Sequence, residues 1–315
     1  MRFTLLLALV LAAPALAQPY PTKPIRWIVP TGPGSAVDVQ ARRVAPKLGE
    51  ALGQTIVVEN RPGANSMIGA REAARAAPDG YTVFQAVVNN AINDALAPDP
   101  CCVLNDKLIP VTRLYITPLV MVVNPAVPAK TLQEFVALAR SKPNELTYAS
   151  GGSGAITQMI GEQLKLLAGI QVREVPYKAI GGEVPDLMGG HVASGFLAPI
   201  VIRDLIRSGK LRALAVADKA RMPTLPDVPA MAETLPGFES VAWFGIVGPP
   251  KTSSAIAEKV AAGVAEALRN PDVLRRLSDL SADPMGLSPA ETAAFMKQET
   301  ERWGAVIRSA GIKLE

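Results

Sequence analysis

Residues 25–35 read IRWIVPTGPGS, which is a short apolar run, a turn built on Gly32 and Gly34, and then the start of a helical pattern. The same order returns at residues 55–66, TIVVENRPGANS, and at residues 146–154, LTYASGGSG. Strands that alternate with helices in this way are typical of parallel sheets joined by crossover helices. The repeated pattern predicts an α/β fold with parallel-rich sheets flanked by helices.

The three glycine-rich turns share a position, because each lies between a predicted strand and a predicted helix. Backbone N–H groups at a helix N-terminus have no intrahelical acceptor, and the helix dipole favours negative charge there. Open α/β sheets bind their ligands beyond the carboxyl ends of the strands. The turns therefore predict an anion-binding site.

The rest of the chain continues the alternation over 315 residues, which is long enough for two domains. Further strands are predicted at residues 81–88, 119–123, 172–175, 211–217 and 242–248. Helices are predicted at residues 36–51, 67–76, 155–168, 253–268, 271–280 and 290–310, and Thr131 is predicted to cap another. Since both halves contain a strand, a glycine turn, a helix and a strand, we expect two lobes that face one another.

The N-terminus has the pattern of an export signal. Arg2 precedes an apolar run at residues 3–13, and residues 15–17 read ALA. We expect cleavage after Ala17 and a periplasmic protein. The net charge of +4 is spread along the chain, so it gives no evidence for nucleic acid binding. Cys101 and Cys102 are adjacent, and we expect an exposed loop pair without a role in ligand chemistry.

Catalytic apparatus is sparse in this sequence. His191 is the only histidine, and no G-x-S-x-G turn places a nucleophile near it. One histidine and two adjacent cysteines do not make a usual zinc site. The first turn also departs from a dinucleotide fingerprint, because Val37 stands where a small residue is needed and Pro33 lacks an N–H. We predict a binding protein rather than an enzyme, with no cofactor and no metal.

Candidate ligand-binding residues come from the turns and from neighbouring strand ends. Several have a structural alternative: Asp38 can simply complement the helix dipole, Asn65 and Ser66 are good helix caps, and Lys178 can be a solvated loop lysine. The candidates are Thr31, Gly34, Ser35, Asp38, Gly63, Ala64, Asn65, Ser66, Asn89, Ser150, Gly152, Ser153, Gly154, Thr157 and Lys178.

Several ordered segments resemble the receptors of tripartite tricarboxylate transporters, the Bug-type family of periplasmic binding proteins. These segments span nearly the whole chain after the export signal. They read YPTKPI from residue 20, VENRPGA from 58, APDGYT from 77, VPYK from 175, DLMGG from 186, GKLRALAV from 209, LPDVP from 225 and LPGFE from 235.

The resemblance implies a two-lobed, type II-like binding protein that closes on a small carboxylate through a hinge with two crossovers. Lobe 1 would comprise residues 18–120 and 245–315, lobe 2 residues 121–244, and the ligand cleft would lie between them. The crossover strands would be residues 119–123 and 244–248. The resemblance implies as partners a small organic carboxylate and the transporter's membrane subunits, and we expect a monomer.

The sequence departs from the family pattern within the turns. Ser35, Asn65 and Ser66 stand where the family usually has glycine, Gln158 replaces a usual histidine and Ala193 a usual aspartate. Added side chains would crowd a large tricarboxylate, so we expect a smaller or more polar ligand than citrate. Two other functions stay open at this point: a ligand-sensing partner of a membrane sensor kinase, and a periplasmic hydrolase that depends on His191.

Overall fold

The computed structural model describes residues 20–96, 99, 102–177, 182–279 and 281–312. The predicted export signal, Cys101 and Lys178 lie outside the described residues. The strands are β1 (Ile25–Val29), β2 (Ile56–Asn60), β3 (Thr82–Val87), β4 (Ile109–Thr117), β5 (Val120–Val123), β6 (Thr147–Ser150), β7 (Arg173–Pro176), β8 (Ser194–Leu197), β9 (Arg212–Val216), β10 (Ala242–Gly248) and β11 (Asp283–Pro284). The helices are α1 (Ala36–Leu52), α2 (Met67–Ala74), α3 (Val88–Leu96), α4 (Leu132–Ser141), α5 (Ile156–Ala168), α6 (Glu183–Gly189), α7 (Pro199–Arg207), α8 (Ser254–Arg269), α9 (Pro271–Asp279) and α10 (Pro289–Ala310).

The strands form two sheets. The first has the order β11-β4-β10-β3-β1-β2, and the second has the order β7-β6-β8-β5-β9. Parallel pairs join β1 to β2 and β3, and β6 to β7 and β8. The pairs made by β10 and β5 are antiparallel, so both sheets are mixed rather than parallel throughout. The predicted α/β class is confirmed, and the parallel pairs are those that the turn-bearing strands form.

The chain passes between the sheets twice. It leaves the first sheet after Thr117 and enters the second at Val120, and it leaves the second after Val216 and returns at Ala242. β5 therefore lies wholly in the second sheet and β10 wholly in the first, so the expected crossover strands are ordinary sheet strands and the crossovers precede them. The proposed lobe boundaries stay a prediction. Sheet membership adds that Val120 goes with the second sheet and that residues 242–244 go with the first.

Local sequence signals explain where several helices begin and end. The Ser35 hydroxyl accepts a hydrogen bond from the Asp38 N–H at the start of α1, and α1 ends at Gly53, whose φ of 72° is left-handed. The predicted cap at Thr131 is confirmed, since its hydroxyl accepts from the Glu134 N–H at 3.1 Å. Sequence analysis missed β4, β8, α3 and α7. The strand predicted at residues 81–88 ends at Val87, after which α3 begins, Pro110 and Arg113 interrupt the β4 run, and β8 is only four residues long.

Each sheet has its own apolar core. Trp27, Val44 and Val264 pack between the first sheet and helices α1 and α8, whereas Phe135 and Leu164 belong to the core of the second sheet. Burying side chains of this size stabilises the fold by about 1.5–3 kcal/mol each. The expectation of an exposed cysteine pair is wrong for Cys102, which is 2% exposed in a core cluster, since a cysteine packs as a small apolar side chain.

Candidate ligand-binding cleft

A cavity of about 890 Å³ opens between the two sheets. Its wall is built from both, because the turns after β1 and β2 meet the turn after β6 and the start of α7 across it. All of these segments follow the carboxyl ends of strands, which is where an open α/β sheet binds ligands. The two halves of the chain thus contribute opposite sides of one cleft.

The first turn is held by its own side chains. The Thr31 and Ser35 hydroxyls are hydrogen-bonded at 2.7 Å, and the Gly34 N–H donates to the Asp38 carboxylate at 2.9 Å. The N–H of Ala36, the first residue of α1, has no protein acceptor among the described residues. Since Ala36 lines the cavity, this N–H is available to an anion at the helix N-terminus.

Asp38 lies behind the cavity wall rather than in it. Its carboxylate also accepts hydrogen bonds from Arg42 at 2.9 Å and Asn60 at 2.8 Å. Burial raises the pKa of the Asp38 carboxyl, but the hydrogen bonds from its three neighbours outweigh burial, and the pKa lies below its usual value. The geometry favours the structural alternative, in which Asp38 shapes the first turn.

The second turn has a left-handed backbone without glycine. Ala64, Asn65 and Ser66 have φ values of 45°, 49° and 79°, a conformation that L-residues other than asparagine seldom adopt. Ala64–Ser66 form a single turn of 3-10 helix, and within the described residues no protein group accepts a hydrogen bond from the Ala64 or Asn65 N–H. Consecutive N–H groups in such a turn form a concave donor site for an anion. Backbone strain of this kind is concentrated at functional sites.

Ser66→Gly is expected to raise the free energy of unfolding by about 1 kcal/mol, because relief of the left-handed strain exceeds the entropy that glycine loses on folding. The Ser66 side chain caps no helix, so the substitution removes no capping hydrogen bond. Urea denaturation measures the effect. Ala262→Gly, at an exposed position within α8, is the matched control and should lower stability by about 1 kcal/mol. Equal destabilisation by both variants would contradict the strain argument.

Asn65 links the two sides of the cleft. Its side-chain amide donates to the carbonyl of Gly154, in the third turn on the other side of the cleft, at 2.8 Å. Its side-chain carbonyl accepts from Asn89 at 2.6 Å, and its backbone carbonyl accepts from Asn93 at 3.0 Å. The Asn65 side chain is thus engaged by protein groups, so it does not add the free donor that the sequence suggested.

Charged side chains anchor the second turn from behind. Arg61 contacts Glu72 at 2.8 Å and Glu59 at 3.1 Å, and Arg26 bonds to both carboxylates. The hydrogen bond from Arg26 is the main cause that lowers the pKa of both glutamates. Arg61 therefore supports the lobe, and in this structure it does not line the cavity.

Three N–H groups of the third turn have acceptors within the turn and at the start of α5, contrary to the expectation of free donors there, whereas the Ser153 N–H has no protein acceptor among the described residues. Gly151 donates to the Thr157 hydroxyl at 2.8 Å, Gly152 to the Ser150 hydroxyl at 3.0 Å, and Gly154 to the Gln158 side chain at 3.0 Å. The Ser150 hydroxyl in turn bonds to Glu174. The Ser150, Thr157 and Gln158 side chains cap the turn's own backbone, because they lie within reach of it. The Thr157 hydroxyl is the acceptor in its bond, so its O–H can still donate to a ligand.

Three polar atoms in the residues of the wall have no hydrogen-bond partner in the described structure: the Gln40 side-chain oxygen and the hydroxyls of Thr117 and Ser153. A buried polar atom without a partner costs about 1–3 kcal/mol. Sequence analysis missed Gln40 and Thr117. Gln40 lies one helical turn beyond the first glycine turn, and Thr117 ends a strand that was not predicted, so neither adjoins a glycine.

Most of the predicted candidates lie together in the cavity wall. The wall includes Thr31, Gly34, Ser35, Gly63, Ala64, Asn65, Ser66, Asn89, Ser150, Ser153 and Thr157. Asp38, Gly152 and Gly154 are outside it in this structure, and Lys178 is not among the described residues. In the described part of the wall, Glu183 is the single charged side chain. The described part of the wall thus offers neutral donors to a ligand.

Comparison with known proteins identifies the family. The sequence model of the tripartite tricarboxylate transporter family receptor matches residues 40–312. The chain belongs to this family. BugT of Bordetella pertussis is 36% identical over 309 residues, which cover 97% of this chain and 94% of BugT. The resemblance inferred from the sequence is thereby confirmed.

Solved structures of similar receptors confirm the two-lobed fold. A periplasmic transporter is 36% identical with a TM-score of 0.83, covering 94% of this chain and all of that one. Rpa4515 of R. palustris, solved with adipate, is 29% identical with a TM-score of 0.82 and covers 93% of this chain and 99% of its own. MatC (Rpa3494) of Rhodopseudomonas palustris, solved with malate, is 30% identical with a TM-score of 0.77, and the match covers 91% of this chain and 100% of MatC.

Within the described residues, no helix has the length and apolar character to cross a membrane.

Proposed function

We propose that this receptor captures a small organic carboxylate in the periplasm and delivers it to the membrane subunits of a tripartite tricarboxylate-type transporter. One observation carries the proposal: the second turn presents the consecutive N–H groups of Ala64 and Asn65, which have no protein acceptor among the described residues, to a cavity whose described wall contains no cation. Adipate and malate in Rpa4515 and MatC support a carboxylate as the ligand class.

In this proposal, preorganised donors of the protein replace the hydration water of the carboxylate. Its oxygens accept hydrogen bonds from the N–H groups of Ala64 and Asn65, and the N-terminus of α1 adds the Ala36 N–H. The Ser153 hydroxyl, which has no protein partner, lies in the opposite wall. Closure of the cleft excludes water and strengthens these neutral contacts. Because no salt bridge holds the carboxylate, release requires only that the walls separate.

A thermal unfolding panel of mono-, di- and tricarboxylates tests the ligand class. An acid at 100 times its dissociation constant stabilises the receptor by about 2.7 kcal/mol, which shifts the midpoint by several degrees. The acid should be recovered unchanged from the complex, as expected of a receptor and not of an enzyme. A shift with a sugar or an amine and none with any acid would refute the carboxylate proposal.

Delivery and location need a separate experiment. We propose that the chain is exported, is cleaved after Ala17 and acts as a monomer. Tagged receptor should appear in the periplasmic fraction without its first 17 residues and should co-purify with the large membrane subunit of its transporter. Recovery with a sensor kinase ectodomain in place of that subunit would favour the signalling alternative.

A further inference from the structure

The cavity wall beyond the turns is apolar. Leu119, Phe196, Ala242 and Phe244 form the part of the wall that lies near the two crossovers. Phe244 stacks on Tyr115 with ring centroids 4.6 Å apart, and Phe196 meets Tyr148 edge to face at 6.2 Å. These contacts fix both rings, so this part of the wall is a preformed apolar surface.

The rim of the cavity continues the apolar surface. Ile200 and Val201, at the start of α7, line the cavity and are each 43% exposed. Large apolar side chains that border a cleft and remain in contact with water gain free energy when an apolar group covers them. The rim therefore favours a ligand whose body is apolar and reaches the mouth of the cleft.

The charge of the wall opposes a second carboxylate. No lysine, arginine or histidine lines the cavity in the described part of the chain, and the charged side chain that does line it is the acidic Glu183. In the same part of the chain, Glu183 forms no ion pair. A carboxylate at the far end of a ligand would lose its hydration beside an apolar wall and a like charge, which is far more costly than placing a methyl group there.

We propose that the ligand is a monocarboxylate with an uncharged, apolar body. This inference rests on the proposed function, since it takes the turns to bind the one carboxylate. The body then lies along Leu119, Phe196 and Phe244 and reaches Ile200 and Val201. The selectivity of the receptor thus resides in the wall between its crossovers and its rim.

Hexanoate and adipate make a matched pair, because they share a six-carbon chain and differ in the second carboxylate. Isothermal titration of the ligand-free receptor should show hexanoate binding at least about tenfold more tightly than adipate. Across acetate, butyrate and hexanoate, affinity should rise about fourfold for each added methylene. Adipate binding as tightly as hexanoate would overturn the inference and leave the proposed function intact. Failure of every acid in the thermal panel would overturn both.

Two sets of variants connect the result to the wall. Glu183→Gln should raise the affinity for adipate about fivefold and leave that for hexanoate unchanged, because a like charge is removed. Ile200→Ser and Val201→Ser, at exposed positions where folding is not at risk, should each weaken hexanoate about fivefold and leave acetate unchanged. The proposed placement of the apolar body would be contradicted if Glu183→Gln changed the affinities for adipate and hexanoate equally. It would also be contradicted if the serine variants changed the affinities for hexanoate and acetate equally.

Discussion

Glu299→Leu is expected to lower the free energy of unfolding by about 3–5 kcal/mol, the usual cost of removing one partner from a buried ion pair. Glu299 is 5% exposed on α10, accepts a hydrogen bond from the Trp243 indole at 2.9 Å and pairs with Arg302 at 2.8 Å. Arg302 also donates to the Glu239 carbonyl, in the crossover that returns to the first sheet. Leucine fills a similar volume, but it leaves the Trp243 indole N–H without its acceptor and removes the carboxylate that Arg302 pairs with.

Equilibrium urea denaturation measures the loss, and a neighbouring residue supplies the control. Glu301→Leu lies on the same helix, but the Glu301 side chain is 68% exposed and its nearest cation is 4.0 Å away. It should change stability by less than about 0.5 kcal/mol. If both variants unfolded at the same urea concentration, the contacts that Glu299 and Arg302 make from α10 would not stabilise the second crossover.

Gly154→Ala is expected to weaken binding of the tightest acid in the thermal panel about 30-fold. A Cβ at this position would stand 2.8 Å from the Asn65 side-chain nitrogen and 3.2 Å from the Asn93 side-chain oxygen. Asn65 can move aside only by giving up its hydrogen bonds to Gly154 and Asn93. Two neutral hydrogen bonds are worth about 2 kcal/mol together, which corresponds to the expected loss.

Gly209→Ala separates this cross-cleft effect from backbone strain. Gly209 has φ 71°, close to the 74° of Gly154, but no atom lies within 4 Å of the position that its Cβ would take. Both variants should lose about 1 kcal/mol of stability through the left-handed backbone. Affinity should fall in Gly154→Ala alone. Similar affinities for the two variants would show that the contact between Asn65 and Gly154 does not assist closure.

Local patterns were sufficient where a strand or helix carries its own signal. The alternation of apolar runs with glycine turns located β1, β2, β3 and β6 to within a residue or two, because burial on a sheet requires such runs. The same reasoning missed β4 and α7. β4 is stabilised by pairing with β10 and β11, which lie far away in the chain. A short stretch of sequence does not show such pairings.

The site was predictable in outline, but the roles of its residues were not. The turns do meet in one cavity, because the carboxyl ends of their strands face it. The sequence could not show that Thr157 and Gln158 satisfy two N–H groups of the third turn, or that Asp38 is enclosed by Gly34, Arg42 and Asn60. Hydrogen-bond partners depend on distances of a few ångströms between segments, and composition does not encode those distances.

The sequence by itself determined the α/β class, the receptor family and the three turns that form one end of the cleft, since each depends on short-range patterns of apolar residues and glycines. The tertiary structure alone decided which donors of those turns remain free. It left the N–H groups of Ala64 and Asn65 without protein acceptors among the described residues and supplied acceptors for those of Gly151, Gly152 and Gly154. The physical reason is that a polar group is available to a ligand only when folding brings no competing partner within hydrogen-bonding distance.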